Sequence, residues 1–285
     1  MLHLAIECSA LAGSVAVLQQ QTVLTERALP PAVGSVQTLA PTIAELLDHY
    51  RSSDLPAVGL ISVTHGPGSF TGLRSGLALA KMLGLAWQIP IVAGDTLHVI
   101  AAQAAHGLTS QGPIAKDAPG TVVAVLNAFR KQVFAGAWRM PTDSSHPLAL
   151  DLIPVAQPQV LAAELWQAQP LAALTFTDGE RQPDCDAVSR ASPAHASHAR
   201  ASPAHTSSAH ASLPLWISGA GLRNYMPQLV DGASLTDPTR WDPTAAWVGR
   251  LGWHSYVAGE AVSAAELAPN YVRSSAAEEV RDARG

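Results

Sequence analysis

The sequence predicts an α/β protein made of two related halves. Three observations lead there. Short β-branched runs open the chain, apolar residues at helical spacing follow them, and a second series of runs starts the same way beyond residue 120. Residues 3–8 (HLAIEC) and 13–18 (GSVAVL) read as strands, and 21–29 as a third that completes a meander. Val36, Leu39, Ile43, Leu46, Leu47 and Tyr50 then recur at helical spacing, with Pro41 early enough to mark a first turn or a kink. A buried strand at 58–64, a glycine loop with a helix, a short strand at 89–93 and a helix over 96–106 complete the order β-β-β-α-β-α-β-α.

A Thr/Ser/Gly/Pro-rich shift over 107–120 marks a linker. Strands resume at 121–126 and 133–138, with a third near 148–155 and a helix over about 158–168. Residues 187–212 (AVSRASPAHASHARASPAHTSSAHAS) are low-complexity and too poor in apolar surface to offset the entropy of ordering, so a disordered insertion is expected there. Order returns at 215–221, followed by a helix over about 244–257 and an extended tail through 271–273. The boundaries are one domain at 1–112 and a second at 113–285, which carries the insertion and a C-terminal helix and tail.

Composition narrows the function classes. With 48% hydrophobic and 14% charged residues the 285-residue chain is globular, and a net charge of −5 argues against a large basic face for nucleic acid. Any RNA would then be held mainly through partners. Cys8 and Cys185 stand far apart in unlike contexts, which fits reduced thiols. No leader pattern and no apolar run of spanning length is seen, so a cytoplasmic protein without a membrane role is expected.

The stretch THGPGSFTGLRSGLALAKMLGLAWQIP, residues 64–90, carries the strongest signal. A strand, a glycine loop and a helix start suggest a phosphate cradle, but no Gly-Lys pair exists for a P-loop. Gly66, Gly68 and Gly72 give G-x-G-x-x-x-G, which also misses the dinucleotide spacing. Instead Gly72, Gly76, Ala80 and Gly84 fall four apart and form a nearly side-chain-free stripe. Each helical glycine costs roughly 1 kcal/mol relative to alanine, so close approach of another backbone is the expected return. Leu73, Leu77, Leu79, Met82, Leu83 and Leu85 cover most of the remaining circumference, broken by Arg74, Ser75 and Lys81. A helix apolar on two faces is either sandwiched within its own chain or docked on a second subunit beside the preceding helix. In isolation such a surface is expected to pair two copies of the chain.

His65-Gly66-Pro67-Gly68-Ser69-Phe70-Thr71-Gly72-Leu73-Arg74-Ser75-Gly76, followed by residues 78–81, resembles the signature of the TsaB (YeaZ) family. Supporting pieces occur in the right order. They are Leu4-Ala5-Ile6-Glu7-Cys8-Ser9 with Ser14-Val15-Ala16-Val17, Asn127-Ala128-Phe129-Arg130 with Val133-Phe134-Ala135, Ser218-Gly219-Ala220-Gly221, and Ala268-Pro269-Asn270-Tyr271-Val272-Arg273. The resemblance implies the actin-like ATPase fold, with two ribonuclease-H-like β-β-β-α-β-α domains, the second reduced. It implies a non-catalytic scaffold in the machinery that forms N6-threonylcarbamoyladenosine beside the anticodon of tRNA. The scaffold's N-terminal helices pair with the catalytic paralogue TsaD, and the ATPase TsaE joins the assembly. The interface set expected on this chain is Phe70, Gly72, Leu73, Arg74, Gly76, Leu77, Ala80, Lys81 and Gly84, with Leu39 and Ile43 of the preceding helix. A degenerate nucleotide site would use Glu7, Ser9, Gly219, Ala220 and Gly221, with ATP or ADP at the subunit interface as its ligand. No metal or catalytic residue is assigned.

Three positions depart from the family pattern. Glu7 stands for the usual Asp, Ser35 for a frequent His, and Asn127 for the Asp of the turn. The alternative is an active ATP- and metal-dependent transferase or kinase of the same superfamily. A transferase metal site of the TsaD type needs two histidines four apart; no two histidines of this chain are so spaced, and His49, His65, His98 and His106 are scattered. A peptidase would need a nucleophile with an oriented base, and Ser69 beside His65 has no third group in view.

Overall fold

The computed structural model describes residues 1–10, 13–30, 35–51, 56–110, 120–141, 151–171, 173–174, 214–230 and 232–272. The low-complexity insertion, Cys185 and Arg273 lie outside these described residues.

β1 (Leu2–Glu7), β2 (Ser14–Gln19) and β3 (Thr22–Ala28) form an antiparallel meander. β4 (Val58–Gly66) and β5 (Ile91–Asp95) add in parallel on the other side of β1, giving the order β3-β2-β1-β4-β5. Helices α1 (Ser35–Arg51) and α2 (Phe70–Trp87) make the crossovers, and α3 (Thr96–Ser110) leads to the second half. There, β6 (Thr121–Phe129), β7 (Gln132–Arg139) and β8 (Ile153–Ala162) repeat the meander. β9 (Leu215–Ser218) and β10 (Ala233–Leu235) add in parallel beyond β6. The second sheet, β10-β9-β6-β7-β8, is therefore the first order read from its other end. Two such sheets fulfil the expected ribonuclease-H-like duplication. The second half is reduced: α4 (Ala163–Ala168) is short, and 3-10 turns at Ala220–Arg223 and Pro238–Arg240 stand among its connections.

Strand alternation builds three apolar layers. Leu4, Ile6 and Cys8 point to an outer core shared with Leu39, Ile43, Leu46, Leu77 and Ala80 of α1 and α2. Ala5, Ala16 and Leu18 point to a central core with α3, the final helix α5 (Ala245–Val257) and the inner face of the second sheet, Val122, Ala124 and Leu126. Val123, Val125 and Val133 face the third layer around Trp166 and Trp241.

α5 follows the second half in the chain yet lies across β1, β2 and β4 of the first sheet. Two glycines permit this approach. A Cβ on Gly249 would come within 2.4 Å of Leu18, and one on Gly252 within 1.8 Å of the Ser62 hydroxyl. The helix start is tied down by Ala245 N–H donating to Ser14 Oγ (2.8 Å) and Ala246 N–H donating to Glu26 Oε1 (2.9 Å).

One expected element differs. The helix over 158–168 begins only at Ala163, because residues 158–162 extend β8. Pro158 suits a first helical turn, but it also suits an edge strand, where no ladder partner needs its missing N–H. The β7–β8 register shifts at this place, between the Ala135–Gln159 and Ala137–Ala156 pairs.

Candidate functional site

The loop before α2 is shaped by its own chain. Ser69 N–H donates to the Ser9 carbonyl at 2.8 Å, and the Ser69 hydroxyl caps the helix by accepting from Gly72 N–H at 3.3 Å. A Cβ at Gly68 would stand 2.5 Å from the Ser9 carbonyl oxygen. The amides at Ser69 and Gly72 are thus already engaged, and the Ser69 hydroxyl serves as the cap of α2.

The glycine stripe faces inward, which corrects the expected interface set. Gly72, Leu73, Gly76, Leu77, Ala80 and Gly84 are all buried within the chain. A Cβ on Gly72 would lie 2.1 Å from the Cys8 carbonyl oxygen, one on Gly76 3.1 Å from Cys8 Cβ, and one on Gly84 2.7 Å from Ile91 Cδ1. Gly72 meets the backbone just past β1, Gly76 the Cys8 side chain and Gly84 the Ile91 side chain of β5, so the stripe is filled by its own chain. Leu39 and Ile43 of α1 are likewise core residues.

The opposite face of α2 is open. Met82 and Leu85 are 65% and 68% exposed and Ala78 continues their row, whereas Trp87, on the last turn, follows Leu79 and Leu83 toward α1. Arg74 is exposed and Lys81 half-buried on the same helix. Spacing alone could not rank the two faces; the position of β1 decides it. Between α1 and α2 runs an apolar groove of about 760 Å³, with Leu47, Tyr50, Leu79, Leu83 and Trp87 among its walls.

At the start of α2, Arg74 Cζ lies 3.8 Å from the Phe70 ring centroid, and Arg74 Nε donates to the Tyr271 hydroxyl at 3.1 Å. The rings of Phe70 and Tyr271 are 5.5 Å apart. Asn270 N–H donates to the His65 carbonyl at 2.7 Å, so the closing motif of the chain lies on its glycine motif.

Glu7 and Ser9 meet at the end of β1. Glu7 is fully buried and Oε1 accepts from both Ser9 N–H (2.6 Å) and the Ser9 hydroxyl. Burial pushes the Glu7 carboxyl up to about 7, opposed by the Ser9 and Ala10 donors and reinforced by the nearby charge of Asp242. Asp242 in turn takes a bidentate bond from Arg223 at 2.7 and 2.8 Å, just past the Gly219–Gly221 turn. That turn is pressed on β6: Gly219 has φ 127°, and a Cβ there would meet the Val125 carbonyl oxygen at 2.0 Å. Asn127 donates to Asn224 Oδ1 at 3.0 Å and accepts from Phe129 N–H at 2.7 Å. Among the described residues, Glu7 Oε2 and the Ser218 hydroxyl are buried without a hydrogen-bond partner, and no three His, Cys, Asp or Glu side chains group as a metal site.

The family described as TsaD, tRNA N6-adenosine threonylcarbamoyltransferase, matches residues 32–142. The chain is 30% identical over 141 residues to the tRNA threonylcarbamoyladenosine biosynthesis protein TsaB of Bacillus subtilis (strain 168), covering 49% of this chain and 56% of that one. It is 30% identical over 131 residues to the TsaB of Escherichia coli (strain K12), covering 46% and 52%. The matched region thus spans about half the length of these curated relatives. In three dimensions it superposes on YeaZ from Pseudomonas aeruginosa with a TM-score of 0.60 and 22% identity, covering 95% of this chain and 99% of that one. A second structure, titled as an uncharacterized protein with similarity to peptidase YEAZ from the same organism, gives 0.60 and 23%. The chain is similar to TsaB over about half of that protein's length, and its two-sheet α/β fold is the fold of YeaZ.

Proposed function

We propose that this chain is the non-catalytic accessory subunit of an assembly that forms N6-threonylcarbamoyladenosine in tRNA. It docks a TsaD-like catalytic paralogue on the outward face of α2 and the groove beside α1. The observation that carries this is the open row Ala78, Met82 and Leu85 on a helix whose glycine face is already filled, with Trp87 exposed at the end of the adjoining groove. Such an apolar helix face beside a groove is what a docking helix of a partner would cover. A TsaE-like ATPase completes the assembly and tRNA is held mainly through the partners. In isolation the same face pairs two copies of this chain. The similarity to TsaB favours this accessory reading over the ATP- and metal-dependent alternative.

The test is co-expression with a TsaD-like chain, followed by pull-down and a tRNA modification assay. The wild type should co-purify and support modification, and Met82→Glu with Leu85→Glu should lose both while remaining folded. Light scattering on the isolated chain should give a dimer for the wild type and a monomer for the double variant. Unchanged co-purification by a folded double variant would remove this face from the assembly.

A further inference from the structure

The β6–β7 hairpin is built against its own backbone preferences. Phe129 pairs with Gln132, leaving Arg130 and Lys131 as a two-residue connection. Their φ values are 49° and 57°, the sign pattern of a type I′ turn, a position pair that favours Asn-Gly. Phe129 before them also has a positive φ, 60°. Three successive non-glycine residues in the left-handed region, one of them aromatic, are strained wherever they occur.

The turn is nevertheless held firmly. Asn127 Oδ1 accepts from Phe129 N–H at 2.7 Å, and its amide is anchored on Asn224 at 3.0 Å. The Lys131 carbonyl accepts from Ala163 N–H at the start of α4, at 2.9 Å. What this fixed turn presents is an aromatic ring 50% exposed, with two exposed cationic residues next to it. None of the three contributes to a core layer, so packing does not account for their presence on a strained turn.

We infer that the Phe129-Arg130-Lys131 tip is a contact for an unpaired nucleic-acid strand. A base stacks on the Phe129 ring while Arg130 and Lys131 neutralise flanking phosphates. Rigidity lowers the ordering cost of such a contact, and an exposed ring beside two cations matches the stacking-plus-phosphate chemistry of an unpaired strand. The overall charge of −5 keeps the rest of the surface from supplying strong non-specific binding. The contact is small and local, consistent with the lack of a broad basic face, and does not depend on the α2 docking face.

The experiment is fluorescence anisotropy on the full chain, with labelled oligouridylate of about 12 nucleotides, the same DNA sequence, and a duplex of equal length. The wild type should bind either single strand and discriminate against the duplex. Phe129→Ala should weaken binding about tenfold or more, as for one lost base stack. Arg130→Asn with Lys131→Gly gives the turn its preferred residues, so its melting temperature should rise while binding falls and the log–log salt slope shrinks by about 1.4. A stabilised variant that no longer binds cannot have failed by unfolding. No binding by the wild type, equal binding to the duplex, or unchanged affinity in both variants would overturn the inference.

Discussion

Arg74 and Tyr271 are joined by a 3.1 Å hydrogen bond across 197 positions of sequence. With Phe70 between them, they fasten the tail of the chain to the first turn of α2. Ala264 and Leu267 sink into the outer core on the same path, and Val262 bridges to Ile91. The tail therefore closes one end of the helix whose outward face is proposed to dock.

Tyr271→Phe should leave global stability nearly unchanged, because one exposed hydrogen bond contributes about 1 kcal/mol or less. Tyr271→Ala removes the ring contact as well and should speed amide exchange at 268–271. Equal exchange in both variants would show that the ring does not hold the tail.

Gly72→Ala should be severely destabilising, by more than about 2 kcal/mol, since overpacking against fixed backbone has no flexible side chain to yield. The added methyl would meet the Cys8 carbonyl oxygen at 2.1 Å. Urea denaturation measures it, and near-wild-type stability would contradict the packing of α2 on the end of β1.

The two faces of α2 should respond oppositely to charge. Met82→Glu is expected to change stability by no more than about 0.5 kcal/mol, as for exposed sites generally. Leu77→Glu, at a position only 4% exposed, should unfold the chain by burying an unpaired carboxylate. Circular dichroism melts distinguish them, and similar losses in both variants would mean that Met82 is covered.

Four buried groups set a pH profile with opposing slopes. Burial raises Glu7 from 4.5 to about 7 and Asp95 from 3.8 to about 6, so their stability contribution is full below the unfolded values and lost as pH rises through the folded ones. Burial lowers His3 from 6.5 to about 3 and His98 from 6.5 to about 4, so theirs is full above 6.5 and lost as pH falls. Between pH 4.5 and 6.5 the two pairs oppose each other, and the wild type should show a plateau. Glu7→Gln removes one acid, so its denaturation midpoint should climb with pH across that window. A midpoint that stayed level would show that Glu7 is not protonated there.

Much of the fold was legible because strand and helix periods are local. The meanders at 3–29 and 121–138 and the helices at both ends of the first half follow from spacing alone. β10 went unread because three residues, Ala-Ser-Leu, carry no periodic signal. At the site, Gly72, Gly76 and Gly84 announced a close approach, but a glycine does not say whose backbone comes near. Phe70, Arg74 and Lys81 were named as interface residues from the sequence, whereas Met82 and Leu85, read there only as part of the apolar girdle, stand out as the open row once the stripe is seen to be filled. The positive φ at Phe129 left no trace in composition, since nothing but the hairpin geometry requires it.

α5 also orders events during synthesis. On one side of the first sheet α3 reaches β4 and β5, but the part over β1 and β2 stays uncovered until residues 245–257 have left the ribosome, although all five strands are complete by residue 95. A nascent chain halted in the second half would display Ala5, Ala16 and Leu18 to solvent, a surface that invites chaperones. Residues 1–112 expressed alone should therefore aggregate, and supplying the 245–257 segment in trans should rescue them.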